Sequence, residues 1–578
     1  MSVHGAWAVL AALPATGAVS LPSGYFPLLK AGAEKVEARL RAEPGADLKA
    51  LEAQPGWRHF PYAILAPAVL YAKPHPQNRW LGDSQMLALA IRIGDLLASE
   101  HERGRFEPRL DSDWDTYMWL EAWRLLESRL GQARRTRWKK AIEDNVALLV
   151  EDAADRLDFP WYNSPFIGTS PNHYALWATN LLLAGQAFGN RHWEELGRTI
   201  LRRFAAEEQT PDGYWGEHSR EGPTPGYNHL TLSAVGLYWE LTRDPAALAA
   251  LRRATDFHKH FTWPDGTPVE VLNDRNRHWG VSAWSHFAFS HFPDGRRYAE
   301  FLTGFFRPDT LTMDQLGRLA QNALYYHEGT TAPIPQEQDR YSYRMQVPGG
   351  IRKTGPWVVA LSGIISTQAV TSRFYLDRQA HLSVFHTRLG QIITGANSKR
   401  QPELATFSER IGDRIFHLPM SSRLQMGDAE DRLSLSYNTF WADLFVPPPE
   451  AGQAIFRFVV HGTGRPPEHA QLALQLCLKS GEILETGAGR TLVVGPERIQ
   501  LDPAHLGGLL RHRGWEMKVD ETASLLWPVF PHNPYTDAPE TSLEYAVALL
   551  SVPLRLESVP GKYVRARQQQ IIISVSAP

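Results

Sequence analysis

The spacing of apolar residues changes along the chain. From about residue 28 to residue 326 they recur every three to four positions, which is typical of helices with one buried face. From about residue 341 onward they alternate with polar residues, which is typical of half-buried strands. The clearest helical runs cover residues 87–97, 117–130, 141–150, 174–188, 196–206, 230–241 and 311–325, and the clearest strands begin at Trp357, His381, Ile455, Leu472 and Ile571.

This order predicts two domains. A run of helices followed by a run of strands argues against alternating βα units. The segment from Thr330 to Asp339 is rich in Thr, Pro and Gln, a composition typical of linkers. We therefore expect a helical domain over residues 1–330 and an antiparallel β-sandwich domain over residues 331–578.

The helical half contains an internal repeat. Pro211-Asp212-Gly213 recurs 53 residues later as Pro264-Asp265-Gly266. Ser170-Pro171-Asn172-His173 is matched 54 residues later by Thr224-Pro225-Gly226-Tyr227, and both segments are typical of helix starts, with Ser or Thr at the N-cap and Pro at the first helical position. A period near 53 residues fits a helical hairpin with a long loop. About a dozen such helices favour an α/α toroid, in which equivalent helix starts meet at one rim.

Composition narrows the choice of partners. The chain has 578 residues, of which 43% are hydrophobic and 21% are charged, as in ordinary globular proteins. The net charge of -2 provides no general attraction to nucleic acids or anionic membranes, and we expect neither as a partner. The single cysteine, Cys477, excludes an internal disulfide and cysteine-rich metal sites.

The N-terminal segment leaves the cellular location open. Residues 6–19 are apolar, but no Lys or Arg precedes them, so we expect no signal peptide. The sequence does not distinguish a cytoplasmic protein from a periplasmic or secreted one.

The predicted helix starts carry polar side chains that could form a site. His173 and Tyr227 are both the third residue of their helices, and Asn172 lies beside His173. We expect a third equivalent helix to begin near His278-Trp279-Gly280, which would bring further polar groups to the same rim. The remaining candidates for substrate binding are Trp215, Glu217, His229, Arg275, Arg277, His278, Arg58, His59 and Tyr341.

These residue types fit β-elimination next to a carboxylate. In a uronic acid, loss of the C5 proton places negative charge on the neighbouring carboxylate, which Asn, His or Arg donors can stabilise. A base must remove that proton, and an acid must protonate the departing O4. Tyrosine can perform such steps if positive groups lower its pKa. The reaction needs neither water nor metal, and we expect no cofactor.

The Asn-His pair and the tyrosine one hairpin later resemble polysaccharide lyases of the alginate lyase and heparinase II/III type. The resemblance rests on Ser170–Tyr174, on Gly226–His229 and on the order of the two domains. It implies an α/α toroid followed by an antiparallel β-sandwich. It also implies that Asn172 neutralises the substrate carboxylate, that His173 is the base or a carboxylate partner, and that Tyr227 is the acid or the combined acid and base.

One stretch departs from that family. The family has a strand motif of His and Asp residues that is often associated with a bound metal. The matching stretch here, Asp377–Phe385, keeps His381 but lacks the paired His and the following Asp. We therefore expect no metal.

Three other functions remain open from the sequence. A uronosyl C5 epimerase removes the same proton and then returns it. A glycoside hydrolase needs two carboxylates at the rim, and a non-catalytic carbohydrate-binding protein needs only an aromatic groove. The carboxylates that could serve a hydrolase are Glu217, Glu221, Asp212 and Asp274. In each case the expected partner is a polysaccharide or oligosaccharide, containing uronate for the lyase and the epimerase.

Overall fold

The structure is a computed structural model of the whole chain. It describes residues 19–20, 24–106, 113–157, 171–217, 222–273, 280–365, 377, 379–395, 397, 401–462, 467–556 and 568–577.

Helices dominate the described chain as far as Tyr325. They are α1 (Tyr25–Ala42), α2 (Leu48–Glu52), α3 (Leu65–Ala72), α4 (Ser84–Glu102), α5 (Asp113–Leu126), α6 (Gln132–Ala147), α7 (Val150–Asp155), α8 (Pro171–Phe188), α9 (Arg191–Arg203), α10 (Pro225–Thr242), α11 (Pro245–His260), α12 (His286–Phe289), α13 (Pro293–Thr303) and α14 (Met313–Tyr325). None of the described helices is long and apolar enough to span a lipid bilayer.

Capping side chains explain several of these helix starts. Asp83 accepts hydrogen bonds from the first backbone N–H groups of α4, and Asn190 and Asp244 do the same for α9 and α11. Thr312 and Gln315 form a reciprocal capping box at α14. Such side chains satisfy N–H groups that have no partner within the helix.

Strands dominate from Arg340 onward, as the alternating pattern predicts. In chain order the strands are β1 (Val19–Ser20), β2 (Gly329–Thr330), β3 (Arg340–Arg344), β4 (Gly349–Thr354), β5 (Trp357–Ser362), β6 (Leu382–His386), β7 (Gly390–Thr394), β8 (Phe407–Ile411), β9 (Arg414–Phe416), β10 (Ser421–Met426), β11 (Asp431–Ser436), β12 (Phe440–Val446), β13 (Gln453–Gly462), β14 (His469–Leu476), β15 (Ile483–Thr486), β16 (Thr491–Val493), β17 (Ile499–Leu501), β18 (Leu509–His512), β19 (Trp515–Lys518), β20 (Ser524–Val529), β21 (Val547–Pro553) and β22 (Gln568–Ser576), and one short helix, α15 (Pro503–Leu506), interrupts them.

Two large antiparallel sheets form a sandwich. One has nine strands in the order β10-β11-β12-β13-β22-β19-β18-β15-β16. The other has eleven strands, with the path β17-β20-β21-β14-β7-β6-β5-β4-β3 and with β8 and β9 extending from β14. Their facing sides share one apolar core, to which Phe456 and Ile573 contribute from the first sheet and Val384 and Leu550 from the second. Alternation of inward apolar and outward polar residues produces this arrangement.

The chain divides into two compact units. The first comprises Met1–Glu107, Trp114–Asp144 and Ala283–Glu337, and the second comprises Pro108–Asp113, Asn145–Ser282 and Gln338–Pro578. Helices α7 to α11 thus belong to the same unit as the two large sheets. Within that unit, Phe257 and Trp263 share a hydrophobic cluster with Ile351 and Phe385 of the eleven-stranded sheet. The domain boundary expected at residue 330 stays a prediction.

The internal repeat has a structural counterpart. Gly213 and Gly266 both adopt a positive φ, 92° and 81°. Each donates its N–H to the carbonyl three residues earlier, to Thr210 at 3.0 Å and to Trp263 at 2.9 Å. A Cβ on Gly213 would lie 2.2 Å from the carbonyl oxygen of Arg253, so both the backbone angle and the close approach require glycine. The two Pro-Asp-Gly segments therefore form equivalent turns.

Candidate active site

Two packed helices begin at the predicted candidates. Helix α8 starts at Pro171 and α10 starts at Pro225, so His173 and Tyr227 are each the third residue of their helix. The two helices pack against each other in the second unit. Thr224 occupies the N-cap position of α10, but its side chain makes no capping hydrogen bond, and Ser170 lies outside the described residues. His173 and Tyr227 are half-buried, whereas Asn172 is only 2% exposed.

A buried carboxylate holds Asn172. Its Nδ2 donates a 2.7 Å hydrogen bond to Oε1 of Glu217, which is itself only 4% exposed. Because an ionised carboxylate can only accept, this bond determines which end of the Asn172 amide faces Glu217. Glu217 is thus bonded to Asn172, and a direct substrate contact by Glu217 stays a prediction.

The same loop is anchored on the start of α10. The backbone carbonyl of Trp215 accepts a 3.1 Å hydrogen bond from Nδ2 of Asn228, the residue after Tyr227. Oδ1 of Asn228 lies 2.8 Å from Nε2 of His258. Since Oδ1 only accepts, His258 donates from Nε2. The loop that contains Trp215 and Glu217 is thus bonded to both helix starts. Glu217 bonds to Asn172 of α8, and Trp215 bonds to Asn228 of α10.

Trp215, a candidate for substrate binding, has a buried ring. Its side chain is 1% exposed, and its indole N–H donates to the carbonyl of Phe204 at 2.9 Å. An aromatic ring buried in this way supports the loop from within. The burial of this ring comes from non-local packing of the loop onto the residues that follow α9, and a substrate contact by Trp215 stays a prediction.

His229 is also buried. It is 3% exposed, and its ring centroid lies 4.0 Å from that of His258. Burial lowers the pKa of His258 to about 3, so that ring is neutral at ordinary pH. The pair joins α10 to α11, and a substrate contact by His229 stays a prediction.

Glu270 occupies the position in the second repeat that Glu217 occupies in the first. It lies 53 residues after Glu217 and is 2% exposed. Its carboxylate accepts from Nε1 of Trp263 at 2.7 Å and from the backbone N–H of Gly395 at 2.9 Å. It also accepts from Ser383, Gln391 and Thr394. In both repeats, the glutamate six residues after the proline of the Pro-Asp-Gly turn anchors its loop to a neighbouring element.

Arg58 and His59 lie in the first unit. His59 has a left-handed backbone with φ of 60°, and its Nδ1 is 3.8 Å from Oδ1 of the buried Asp115. Arg58 is exposed. A non-glycine residue held at positive φ is uncommon and is more frequent at functional positions. Roles for Arg58 and His59 in substrate binding stay predictions.

Tyr341 lies on β3 beside the end of α11. Its ring centroid is 6.1 Å from that of His260, while Tyr343 stacks on the same imidazole at 4.1 Å. Burial raises the pKa of Tyr341 well above its usual range and that of Tyr343 to about 12. Both phenols therefore stay protonated at neutral pH. A substrate contact by Tyr341 stays a prediction.

The third helix start differs from the expectation. Residues 274–279, which contain Arg275, Arg277 and His278, lie outside the described residues. Residues 280–285 are not helical, and the next helix, α12, begins at His286 and has four residues. The prediction of a helix that begins near His278 is therefore wrong for residues 280–285. Over the described residues 280–289, the 53-residue repeat does not continue as a third long helix.

His381 has a structural role in the sandwich. Its Nδ1 donates to the carbonyl of Ser362 at 2.8 Å, and its Nε2 lies 3.1 Å from the hydroxyl of Tyr437. Because the carbonyl can only accept, Nδ1 carries the proton and Nε2 accepts from Tyr437. Burial lowers the pKa of His381 to about 4.

Acid is expected to destabilise the second unit. Burial lowers the pKa of His258 to about 3 and those of His381 and His386 to about 4, whereas histidine in an unfolded chain titrates near 6.5. Below about pH 6.5 the unfolded chain therefore binds protons that the fold does not. The free energy of unfolding should fall by up to about 1.4 kcal/mol per pH unit for each histidine until its folded pKa is reached.

Chemical denaturation at about pH 7.5 and about pH 5 measures this dependence. His381→Gln should flatten the slope, because it removes one buried titrating ring. An unfolding free energy that is equal at both pH values would contradict the assignment of these histidines as buried and neutral.

Comparison with known proteins identifies the fold. No protein-family model and no curated protein sequence matches the chain. The chondroitin AC lyase of Streptomyces coelicolor A3, solved with chondroitin sulphate, matches with a TM-score of 0.51 at 12% identity over 96% of this chain and 79% of that chain. A heparinase III structure matches with a TM-score of 0.50 at 12% identity over 97% of this chain and 94% of that chain. The predicted fold class, an N-terminal α/α toroid followed by an antiparallel β-sandwich, is confirmed.

Proposed function

From a fold shared with polysaccharide lyases and from the side chains at the starts of α8 and α10, we propose that this protein cleaves a uronic-acid-containing glycan by β-elimination. The observation that carries the proposal is the common loop that holds both helix starts. It is bonded to Asn172 through Glu217 and to Asn228, beside Tyr227, through Trp215. One piece of chain is thereby bonded to the proposed amide donor and to the residue that follows the proposed phenol.

The reaction divides among three residues. The Asn172 amide donates to the substrate carboxylate and stabilises the charge that develops there when C5 loses its proton. His173 or Tyr227 accepts that proton. The electron pair of the C5–H bond becomes part of the C4–C5 double bond, the C4–O4 bond breaks, and Tyr227 supplies a proton to O4.

Helix starts suit this chemistry. The first backbone N–H groups of α8 and α10 have no partner within their own helix, and the helix dipoles place partial positive charge at the same ends. A carboxylate ligand is therefore favoured near His173 and Tyr227. The same positive potential favours the phenolate form of Tyr227, which a base needs.

Glu217 supports the site as a positioning residue. Its hydrogen bond to Asn172 orients the amide before substrate binds, so no free energy is spent on ordering that group during the reaction. Burial of the pair strengthens the bond, because little water competes for either partner.

The carboxylates give little support to a hydrolase. Glu217 is bonded to Asn172, and both oxygens of Asp212 accept backbone N–H groups, from Gln346 at 2.7 Å and from Val347 at 3.2 Å. A general acid must instead present a carboxyl to the glycosidic oxygen. The other two carboxylates considered, Glu221 and Asp274, lie outside the described residues.

Ultraviolet absorbance during incubation with uronate polymers tests the proposal. β-Elimination creates a conjugated double bond at the new non-reducing end, so absorbance should rise with the substrate. The panel should include alginate, glucuronan, hyaluronan, chondroitin sulphate and heparan sulphate. The near-neutral net charge of -2 favours the polymers with little sulphate.

The other outcomes separate the alternatives. Release of reducing ends without absorbance would indicate hydrolysis and overturn the lyase proposal. Incorporation of solvent deuterium at C5 without chain cleavage would indicate a C5 epimerase, which uses the same proton abstraction.

A further inference from the structure

The outer face of the nine-stranded sheet carries an exposed tryptophan. Trp441 lies on β12 with 48% of its surface exposed, the most exposed tryptophan in the part of the chain that the structure describes. It lies on a regular strand, where neighbours on both sides hold its backbone. Covering such a ring with the apolar face of a ligand is favourable in water.

Polar side chains extend from Trp441 across the sheet. The strand register places Ser436 and His461 directly opposite it on the two adjacent strands. Ser421 lies opposite Ser436, and Gln568 lies opposite His461. Residues that are opposite in antiparallel strands share a face. Five strands spaced about 4.8 Å apart make this row about 19 Å long. We define these five residues as the Trp441 row.

The next row carries charge. Asp443 accepts hydrogen bonds from Arg432 at 3.0 and 2.8 Å and also from Ser434, so its charge is balanced within the sheet. Arg423, on β10 opposite Ser434, is exposed and forms no ion pair with any residue that the structure describes. On an ideal sheet Arg423 lies about 12 Å from Trp441, because the two residues are two strands apart across the sheet and two residues apart along it. The face therefore offers an unbalanced guanidinium near an exposed ring.

These groups match one class of ligand. The flat apolar face of a pyranose can cover an indole ring, while hydroxyl, imidazole and amide groups along the row can bond to sugar hydroxyls. A guanidinium pairs well with a carboxylate. We propose that the Trp441 row and Arg423 bind a uronate-bearing glycan chain at a site separate from the starts of α8 and α10. The choice of ligand rests on the proposed function.

The geometry assigns separate tasks to the two sites. The starts of α8 and α10 carry the groups that transfer protons, whereas the Trp441 row carries none that the elimination uses. Binding here would raise the time that a long polymer remains attached, and a short oligosaccharide would gain little, because it cannot occupy two sites at once. Loss of this site should therefore shorten the attachment of a long polymer more than that of a short oligosaccharide.

Gel electrophoresis of the full chain through gels containing alginate or chondroitin sulphate tests the site. Wild-type protein should be retarded by at least one polymer, and Trp441→Ala should weaken the apparent affinity by about tenfold. Trp441→Phe should recover part of it, which excludes misfolding as the cause. Arg423→Ala should also weaken retardation, and added salt should weaken it further. Val493→Ala, at an exposed apolar position on β16 of the same sheet, is the matched control and should change nothing.

The outcomes separate this site from the proposed function. Retardation that depends on Trp441, without cleavage of any polymer, would support the glycan site and leave the lyase proposal without support. Cleavage with equal retardation of wild type and Trp441→Ala would overturn the glycan site alone. Absence of retardation by both polymers would also overturn it. A wild-type dimer in sedimentation that Trp441→Ala converts to monomer would instead show that a second copy of the chain covers this face.

Discussion

Replacing Tyr227 with phenylalanine is expected to lower kcat on the cleaved glycan by about 100- to 10,000-fold, with a much smaller change in KM. The substitution removes one hydroxyl and leaves the ring, so the half-buried packing at the start of α10 is preserved. Without the hydroxyl, O4 leaves as an unprotonated alkoxide. The expected loss is therefore in the chemical step and not in binding.

Initial rates of absorbance increase and thermal unfolding of the same samples measure this effect. The matched control is Tyr238→Phe, the same chemical change on the same helix, about 17 Å farther along it. The Tyr238 hydroxyl donates to Asp244 at 2.7 Å, so the control should cost about 1 kcal/mol of stability and leave kcat near the wild-type value. Near-normal turnover by Tyr227→Phe would show that the proposed mechanism is wrong.

Replacing Asn172 with alanine is expected to lower kcat by about 100- to 1,000-fold. The amide is the donor proposed to stabilise the substrate carboxylate as C5 loses its proton. The change also leaves the buried Glu217 carboxylate without this donor, which should lower the free energy of unfolding by about 1–3 kcal/mol. Kinetics and denaturation on the same preparation separate the two effects.

Glu217→Gln refines this prediction. A glutamine can both donate and accept, so it no longer specifies which end of the Asn172 amide faces it, and kcat should fall by about tenfold. The double variant with Asn172→Ala should be no slower than Asn172→Ala alone, because Glu217 acts only through Asn172. Additive losses would show that Glu217 acts on the substrate directly.

A matched control exists on the same helical hairpin. Asn190→Ala removes the N-cap of α9 beyond the far end of α8, about 27 Å from Asn172 along an 18-residue helix. It should cost about 1 kcal/mol of stability and leave kcat unchanged. A large loss of activity in this variant would indicate that general destabilisation, and not loss of the Asn172 amide, explains the slow enzyme.

The candidate site could be predicted only in part. Its polar residues stood out because Pro171 and Pro225 mark helix starts, and a helix start is a local feature of the chain. The burial of Trp215 could not be predicted, since an aromatic residue in a polar loop is compatible with either a packed or an exposed ring. His258 gave no signal at all, because its partner Asn228 lies 30 residues away. The repeated spacing of Glu217 and Glu270 was a usable signal for a loop anchor.

Local physics explains what the sequence alone determined: the change from helices to strands, the starts of α8 and α10, the equivalent Pro-Asp-Gly turns and, with the family resemblance, the fold class. Periodic burial, caps and glycine conformations act over a few residues, so they can be read along the chain. Tertiary structure alone decided that Glu217 meets Asn172, that Trp215 is buried, that α7 to α11 share a compact unit with the sheets, and that Trp441 faces outward. These depend on packing between distant segments, and the free energy of such contacts does not appear in any local pattern.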